Sequence, residues 1–261
     1  MSKGYSLVLT GGGARGAVQV GMLRALLELD VEVAEVIGTS VGAINGSWFA
    51  YEKDMQDLEE LWITLTKNDV FPANPFRYIK GLTISNHLVS NKGLLNAIKL
   101  LPNLDLRQSK KPITVMTTKL SSGESVPHKS GNLQNLVLAS CSIPGVFPPV
   151  VIDKEEHVDG CVTALAPYEF TNKKISQKTI VLDASGSNVV KPRTAIDVYR
   201  MGFNHSMRKS IKEPYISKNL TIISPKTELF IRHDGRSFEK TKDLFEIGYQ
   251  SMLEHSTSMQ R

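Results

Sequence analysis

The stretch EVIGTSVGAING, residues 35–46, decides the fold, because it predicts a strand followed at once by a helix. An apolar run is followed here by small residues around a serine. The run VAEVIG predicts a buried strand, and the residues after Ser40 predict a helix. The pattern G-x-S-x-G, with Gly38 and Gly42 as small flanks, is typical of a sharp strand-to-helix turn that presents the serine. The alternative is a serine that only caps the helix. The strand-turn-helix context favours Ser40 as a nucleophile.

A second glycine-rich turn lies upstream, where GGGARG, residues 11–16, follows the predicted strand YSLVLT and opens a helix. It fits the G-x-G-x-x-G pattern of dinucleotide-binding folds, so an oxidoreductase is an alternative class. That class requires an acidic residue at the end of the second strand. Here the strand ends at Gly38-Thr39, with Glu35 in its middle and Asp30 before it. The pattern therefore lacks its second half.

The same turn has another interpretation, since the carboxyl ends of neighbouring parallel strands meet at one edge of a sheet. Its amides would then face Ser40. Successive N–H groups of a glycine-rich turn form an anion-binding nest suited to the oxyanion of acyl transfer. Arg15 either adds positive charge to this nest or forms an ordinary surface pair at the start of a helix.

Strand and helix patterns alternate to the end of the chain, which predicts an α/β fold with a mostly parallel sheet covered by helices. Strand-like runs recur at PITVMTTKL, VVID, HVDG, KTIVLDAS and NLTIISP. Helical patterns include DMQDLEELWITLTK, with Asp54 as a predicted N-cap, and NKGLLNAIKLL, which stops before Pro102. No linker or repeat interrupts the pattern, so residues 1–261 are expected to form a single domain.

Composition excludes several classes of protein. The 31 Lys and Arg against 26 Asp and Glu give a formal charge of +5, but no dense basic run with aromatics predicts nucleic-acid binding. Only Cys141 and Cys161 are present, which argues against a disulfide framework. The N-terminus predicts neither a signal peptide nor a membrane span. The expectation is a cytoplasmic protein whose membrane contact, if any, is peripheral.

The base that would activate Ser40 is less clear from the sequence. None of the six histidines has a compelling setting, and His87 and His128 are predicted in polar loops. Two Asp-Gly pairs, at Asp159 and Asp234, remain as candidates. A carboxylate with a pKa of about 3.9 is a poor base, so it requires close geometry and strong oxyanion stabilisation. Spacing alone leaves both aspartates open.

Taken in order, LVLTGGGARGAVQVGML, IGTSVGAING, ASCSIPGVFPPV and HVDG closely resemble the patatin-like phospholipase family. The resemblance implies a modified α/β-hydrolase-like three-layer α/β/α sandwich. Residue by residue, it implies a Ser–Asp dyad and an oxyanion hole, formed respectively by Ser40 and Asp159 and by Gly11, Gly12, Gly13 and Arg15. The sequence departs from the family at Cys161, where a glycine or another small residue is usual.

The family's usual chemistry implies hydrolysis of acyl esters in phospholipids or related lipids through an acyl-enzyme, with no metal or cofactor. A catalytically idle lipid-binding member is a further alternative. The stretch VFPANPFRYIKGL combines aromatic and basic residues and predicts a lid or membrane contact, or else a loop packed on the core. The residues behind this hypothesis are Phe71, Phe76, Arg77, Tyr78, Ile79 and Lys80.

Overall fold

An eight-stranded mixed sheet forms the centre of the computed structural model, which describes residues 4–72, 85–186, 192, 195–209 and 219–259. The strands are β1 (Tyr5–Leu9), β2 (Val33–Thr39), β3 (Ile113–Lys119), β4 (Ser125–His128), β5 (Val150–Ile152), β6 (Glu155–Asp159), β7 (Thr179–Leu182) and β8 (Leu220–Ile223). Strands β3, β2, β1, β7 and β8 are parallel neighbours in that order. Strands β4 and β6 pair with β3 in the antiparallel sense, and β5 pairs with β6 likewise.

The helices follow the apolar periodicity of the sequence. They are α1 (Ala17–Glu28), α2 (Val41–Ala50), α3 (Met55–Thr64), α4 (Lys67–Val70), α5 (Lys92–Ile98), α6 (Leu133–Ser140), α7 (Ala195–Arg208), α8 (Glu228–Arg232) and α9 (Thr241–Met259). The predicted cap of α3 is confirmed, because the Asp54 side chain accepts a 2.8 Å hydrogen bond from Gln56 N. Short 3-10 turns follow Gly12 and Asp159.

Alternate residues of the strands divide the apolar core between the two faces of the sheet. Leu7 and Leu9 belong to the large cluster built with the helices, whereas Val8 belongs to a smaller cluster on the opposite face. That smaller cluster is completed by Ala164 and Ala166, from the segment that follows β6. The expected α/β sandwich, a mostly parallel sheet flanked by helices, is confirmed.

Strand β3 brings the ends of two other strands together. On one edge of β3, strand β4 pairs with residues 115–118. On the other edge, β2 pairs with residues 113–116 and β6 pairs with residues 117–119. Strand β2 runs parallel to β3 and β6 antiparallel, so their carboxyl ends point at each other. Thr39 is the register partner of Met116, and Asp159 is the partner of the next residue, Thr117.

Strand β4 corrects one expectation, since His128 lies in a strand and not in a polar loop. The residues 73–84 lie outside the described part, including the predicted lid residues from Phe76 to Lys80. Phe71 is described, and its ring stacks on Phe147 with centroids 5.7 Å apart. Among the described residues, no helix combines the length and apolar character needed to cross a membrane.

Helices α1 and α9 cross with their backbones in contact, which only glycine permits. A Cβ on Gly21 would overlap the carbonyl oxygen of Phe245, and a Cβ on Gly248 would overlap that of Val18. Both obstacles are backbone atoms of the opposite helix, so they cannot move aside as a flexible side chain would. The close crossing holds the C-terminal helix against the first helix of the fold.

Replacing Gly248 with alanine should therefore destabilise the protein, by about 1–3 kcal/mol or more, because the two helices must separate. Urea denaturation followed by circular dichroism measures the change. Gly202→Ala is the matched control, since in the described structure nothing outside the adjacent residues and the backbone of α7 itself lies within 4 Å of the position that its methyl group would take. That control should gain roughly 0.5–1 kcal/mol, as alanine does over glycine in a helix. Equal behaviour of the two variants would contradict the close crossing.

Candidate active site

Ser40 lies in a strained turn between β2 and α2. Its backbone has φ 54° and ψ −128°, in the region of positive φ that side chains rarely adopt. The flanks must be glycine, because a Cβ on Gly38 would overlap the Gly42 carbonyl and a Cβ on Gly42 would overlap that of Leu9. The amide of Ser40 donates to Ser140 Oγ at 2.9 Å. The turn thus has the geometry that the G-x-S-x-G pattern predicts.

The hydroxyl of Ser40 donates to the carboxylate of Asp159, with 2.7 Å between Oγ and Oδ2. The other carboxylate oxygen, Oδ1, accepts from the amide of Cys161 at 2.8 Å. The Asp159 backbone is fixed as well, because its amide donates to Ser142 O at 2.9 Å. The two residues are 8% and 3% exposed, so this hydrogen bond is shielded from water.

Burial raises the pKa of Asp159 to about 6, although hydrogen bonds from the Cys161 amide and from Ser40 act in the opposite direction. A carboxylate of this pKa is a better proton acceptor than an exposed aspartate and is still largely ionised at neutral pH. Burial also raises the pKa of both Cys141 and Cys161 well above the usual thiol range. The two thiols beside Ser40 and Asp159 are therefore neutral at pH 7.

The glycine-rich segment of residues 11–16, here named the oxyanion loop, lies against Ser40. A Cβ on Gly11 would stand 3.2 Å from the Cβ of Ser40 and would overlap the sulfur of Cys161. Within the described part of the chain, the N–H groups of Gly12 and Gly13 have no protein acceptor, whereas the Gly11 amide donates weakly to Leu165 O at 3.4 Å. These two amides are available to an anion.

Arg15 is buried, at 6% exposure, and is not the surface arginine of the alternative interpretation. Its Nη1 donates to His233 O at 3.1 Å. Its side chain also packs on Gly186, whose absent Cβ would stand 3.1 Å from the Arg15 Cδ. The neighbouring Ala14 amide donates to Gly235 O at 2.8 Å. Arg15 therefore joins the oxyanion loop to two other loops.

The second candidate aspartate, Asp234, has a different setting. Its Oδ1 accepts from the amides of Arg236 and Ser237 at 2.8 and 3.0 Å, as expected of a turn-forming aspartate. It also forms an ion pair with Arg236 at 3.4 Å. Of the two Asp-Gly pairs, the structure brings Asp159 to the hydroxyl of Ser40.

The sequence analysis missed several neighbours of Ser40 and Asp159. Ser140 and Ser142 hold the backbones of Ser40 and Asp159, and nothing in their local sequence indicates this. The Thr117 hydroxyl lies 2.8 Å from both His128 Nε2 and His157 Nδ1. Burial, and then His157, lowers the pKa of His128 to about 4. Burial, and then Lys119, also lowers the pKa of His157, so both imidazoles are neutral at pH 7. Both rings contact Thr117, whereas the Ser40 hydroxyl donates to Asp159.

The dinucleotide-binding alternative receives no support from the geometry. Glu35 is turned inwards, where its carboxylate accepts from Ser6 Oγ at 2.6 Å and from the amide of Asn172 at 2.7 Å. It is therefore already engaged and does not end the strand as a ribose-binding acid would. Among the described residues, no group of three or more His, Cys, Asp or Glu side chains could hold a metal ion.

The fold and the site together define an α/β protein with a serine elbow, an adjacent aspartate and a glycine-rich loop. A family model described as patatin-like phospholipase matches residues 7–170, which is more than half of the chain. The chain therefore belongs to the patatin-like phospholipase family.

The chain spans only part of the length of the curated relatives that it matches, between 10% and 51% of those named below. A putative patatin-like phospholipase domain-containing protein of Caenorhabditis elegans is 29% identical over 206 residues, which span 77% of this chain and 17% of that protein. Patatin-like phospholipase domain-containing protein 7 of Rattus norvegicus is 29% identical, over 68% of this chain and 13% of its own length. An uncharacterized NTE family protein of Mycobacterium tuberculosis is 28% identical, over 73% and 51% respectively.

Solved structures share the fold. VipD from Legionella pneumophila aligns with a TM-score of 0.52 and 16% identity, over 94% of this chain and 67% of that chain. The type III effector protein ExoU aligns with a TM-score of 0.51 and 13% identity, over 98% of this chain and 53% of that chain. At this level of identity the likeness concerns the fold alone.

The raised pKa of Asp159 predicts a pH-dependent stability. The pKa of this carboxyl is about 6 in the folded protein and 3.8 in the unfolded chain, so the folded state binds the proton more tightly. Protonation therefore stabilises the fold fully below pH 3.8, and this contribution is lost as the pH rises through 6. Asp159→Asn should therefore gain stability relative to wild type between pH 4 and pH 7, on the order of 2 kcal/mol. Urea denaturation at each pH measures it.

Asp234→Asn is the matched control with the opposite sign. Burial acts to raise the pKa of Asp234, but hydrogen bonds from the amides of Arg236 and Ser237 and the Arg236 charge outweigh it, so that pKa is lowered. The ionised carboxylate of Asp234 therefore stabilises the fold at pH values above the ordinary pKa of an aspartate, which is 3.8. Asp234→Asn should thus lose stability relative to wild type as the pH rises. The same trend in both variants would contradict this account of the two sites.

Proposed function

We propose that this chain is a serine lipid acyl hydrolase that cleaves carboxylic ester bonds of phospholipids or related lipids. Ser40 is the nucleophile and Asp159 the base. The observation that carries the proposal is the 2.7 Å hydrogen bond from a hydroxyl on a strained elbow to a buried carboxylate. An ordinary helix cap explains neither the positive φ of Ser40 nor this partner.

The reaction has two halves. Asp159 accepts the hydroxyl proton as Ser40 Oγ attacks the ester carbonyl, and the tetrahedral intermediate collapses to an acyl-enzyme as the alcohol leaves with that proton. Asp159 then accepts a proton from water, and the resulting attack on the acyl-enzyme releases the fatty acid and restores Ser40. One carboxylate thus serves both halves in turn.

The negative charge that develops on the carbonyl oxygen is assigned to the oxyanion loop. The amides of Gly12 and Gly13 are the donors with no acceptor in the described structure, and Gly11 brings the loop against Ser40. Arg15 contributes by holding the loop, since its Nη1 is bonded to His233 O. Loss of one such donor typically costs about 10²–10³ in rate.

The substrate class rests on family relatives and not on a pocket. Lysophospholipase NTE1 of Phaeosphaeria nodorum is 29% identical over 160 residues, which span 60% of this chain and 10% of that protein. A lipid substrate held in a membrane requires that the protein contact the membrane surface, so we propose a peripheral contact.

We also propose that residues 1–261 form one domain. Strand β1 lies between β2 and β7 in a single sheet, so the first and the later strands of the chain share one core.

Ester hydrolysis by purified variants tests the dyad. Ser40→Ala and Asp159→Asn should each lower fatty-acid release from phospholipid vesicles and from a short-chain ester by about a thousandfold or more, because nucleophile and base act as a unit. Asp234→Asn is the matched control and should keep the wild-type rate. A wild-type protein that binds the vesicles but neither releases fatty acid nor reacts with a fluorophosphonate at Ser40 would instead be the idle lipid-binding member.

The pH profile tests the role of Asp159. Only the ionised carboxylate accepts a proton, so kcat/KM for a soluble ester should rise about tenfold per pH unit below the pKa and level off above it. The midpoint should lie at a pH of about 6. A profile that is flat from pH 4 to pH 8 would exclude Asp159 as the base.

A further inference from the structure

Arg208, the last residue of α7, reaches over the loop that follows β7. Its Nη1 donates to Ser185 Oγ at 2.8 Å and also to the carbonyl oxygen of Gly186. The Ser185 hydroxyl in turn donates to Asp183 Oδ1 at 2.6 Å. The guanidinium is therefore held at the carboxyl end of the parallel sheet, the edge where Ser40 also lies.

The loop of residues 183–186 touches the oxyanion loop directly. The Ala184 amide donates to the hydroxyl of Thr10 at 2.8 Å, one residue before the glycines begin. A Cβ on Gly12 would overlap the carbonyl oxygen of Ala184, so the two backbones are in contact. One loop therefore separates Arg208 from the amides assigned to the oxyanion.

Among the described residues, no carboxylate forms an ion pair with Arg208. In the described part of the chain, its acceptors are a hydroxyl and a carbonyl oxygen, and Asp183 is reached only through Ser185. Its side chain is partly exposed. Four other arginines instead form ion pairs with carboxylates: Arg24, Arg107, Arg232 and Arg236.

We propose that Arg208 binds the phosphate group of the lipid whose ester is cleaved at Ser40, so that the enzyme prefers glycerophospholipids to neutral acylglycerols. The inference rests on the proposed function and adds its substrate class. In a glycerophospholipid only the glycerol unit separates the phosphate from the scissile ester, which suits a cation one loop away from the oxyanion amides. A guanidinium presents paired N–H donors that match two phosphate oxygens.

Arg15 is less suited to this role, although it lies nearer to the glycines. It is 6% exposed, and its Nη1 already donates to His233 O. A phosphate at Arg15 would have to displace the contacts that hold the oxyanion loop. Arg208 also donates from Nη1, but among the described residues no acceptor engages its Nη2 or Nε, and its side chain is partly exposed, so these donors can bind an anion while the contacts of Nη1 are kept.

The test compares two soluble substrates that differ in the phosphate headgroup, namely dihexanoyl phosphatidylcholine below its micelle concentration and dihexanoylglycerol. Arg208→Gln should lower kcat/KM for the phospholipid by about tenfold to a hundredfold, mainly through KM, as expected for a lost charge-assisted hydrogen bond. It should leave kcat/KM for dihexanoylglycerol within about twofold, because no phosphate contact is lost there. Arg208→Lys should recover part of the loss.

Lys209→Gln is the matched control, since it removes the same charge from the next residue, which is exposed. It should leave both substrates unaffected. An equal loss on both substrates in Arg208→Gln would assign Arg208 a purely structural role, and no loss on either would remove it from the site. Either result overturns the proposal, and melting curves of all variants check that they are folded.

A binding experiment separates this proposal from the proposed function. Calorimetric titration of dihexanoyl phosphatidylcholine into the Ser40→Ala protein, with and without Arg208→Gln, needs no turnover. A dissociation constant raised about tenfold or more by Arg208→Gln supports phosphate binding even if the wild type cleaves neither ester. Identical dissociation constants would overturn it while leaving the hydrolase assignment intact.

Discussion

The register of β3 is the constraint on which the rest of the structure depends. Two strands that approach from opposite directions share one edge of β3, and their ends fall on consecutive residues, Met116 and Thr117. Backbone hydrogen bonds therefore place Ser40 and Asp159 side by side, although 119 positions separate them in sequence. A shift of either strand by one residue would turn its side chains to the opposite face and remove the contact.

The pairing places two energetically unfavourable groups side by side, a serine at positive φ and a buried carboxylate. A serine at positive φ costs roughly 1–3 kcal/mol, and an ionised carboxylate in a buried site has to be compensated by hydrogen bonds. The surroundings supply fixed donors, from the Ser40 hydroxyl and the Cys161 amide, and no described arginine or lysine pairs with Asp159. The strained turn is held in place by β2, by α2 and by the close backbone contact at Gly42.

The sequence predicts those parts of the molecule that depend on neighbouring residues. The elbow at Ser40, the glycine-rich turn and the cap at Asp54 follow from short patterns, because turn and helix geometry are set locally. Short patterns do not decide which of Asp159 and Asp234 lies beside Ser40. That depends on which strand pairs with β3 next to β2, and only the resemblance to the family indicated Asp159. Strand β4 was missed for a related reason: Pro127 argues against a strand locally, whereas at a sheet edge it is tolerated.

The crossing of α1 and α9 and the burial of Arg15 tie the C-terminal part of the described chain to the segment that the family model matches. The family model ends at residue 170, before β7, β8 and α9. Yet β7 pairs with β1, and His233 anchors the side chain of Arg15. A fragment cut at the family boundary would expose an open edge of β1, a site for pairing with other chains, and would leave the oxyanion loop without its anchor. The segment that defines membership of the family is therefore shorter than the unit that can fold around the dyad.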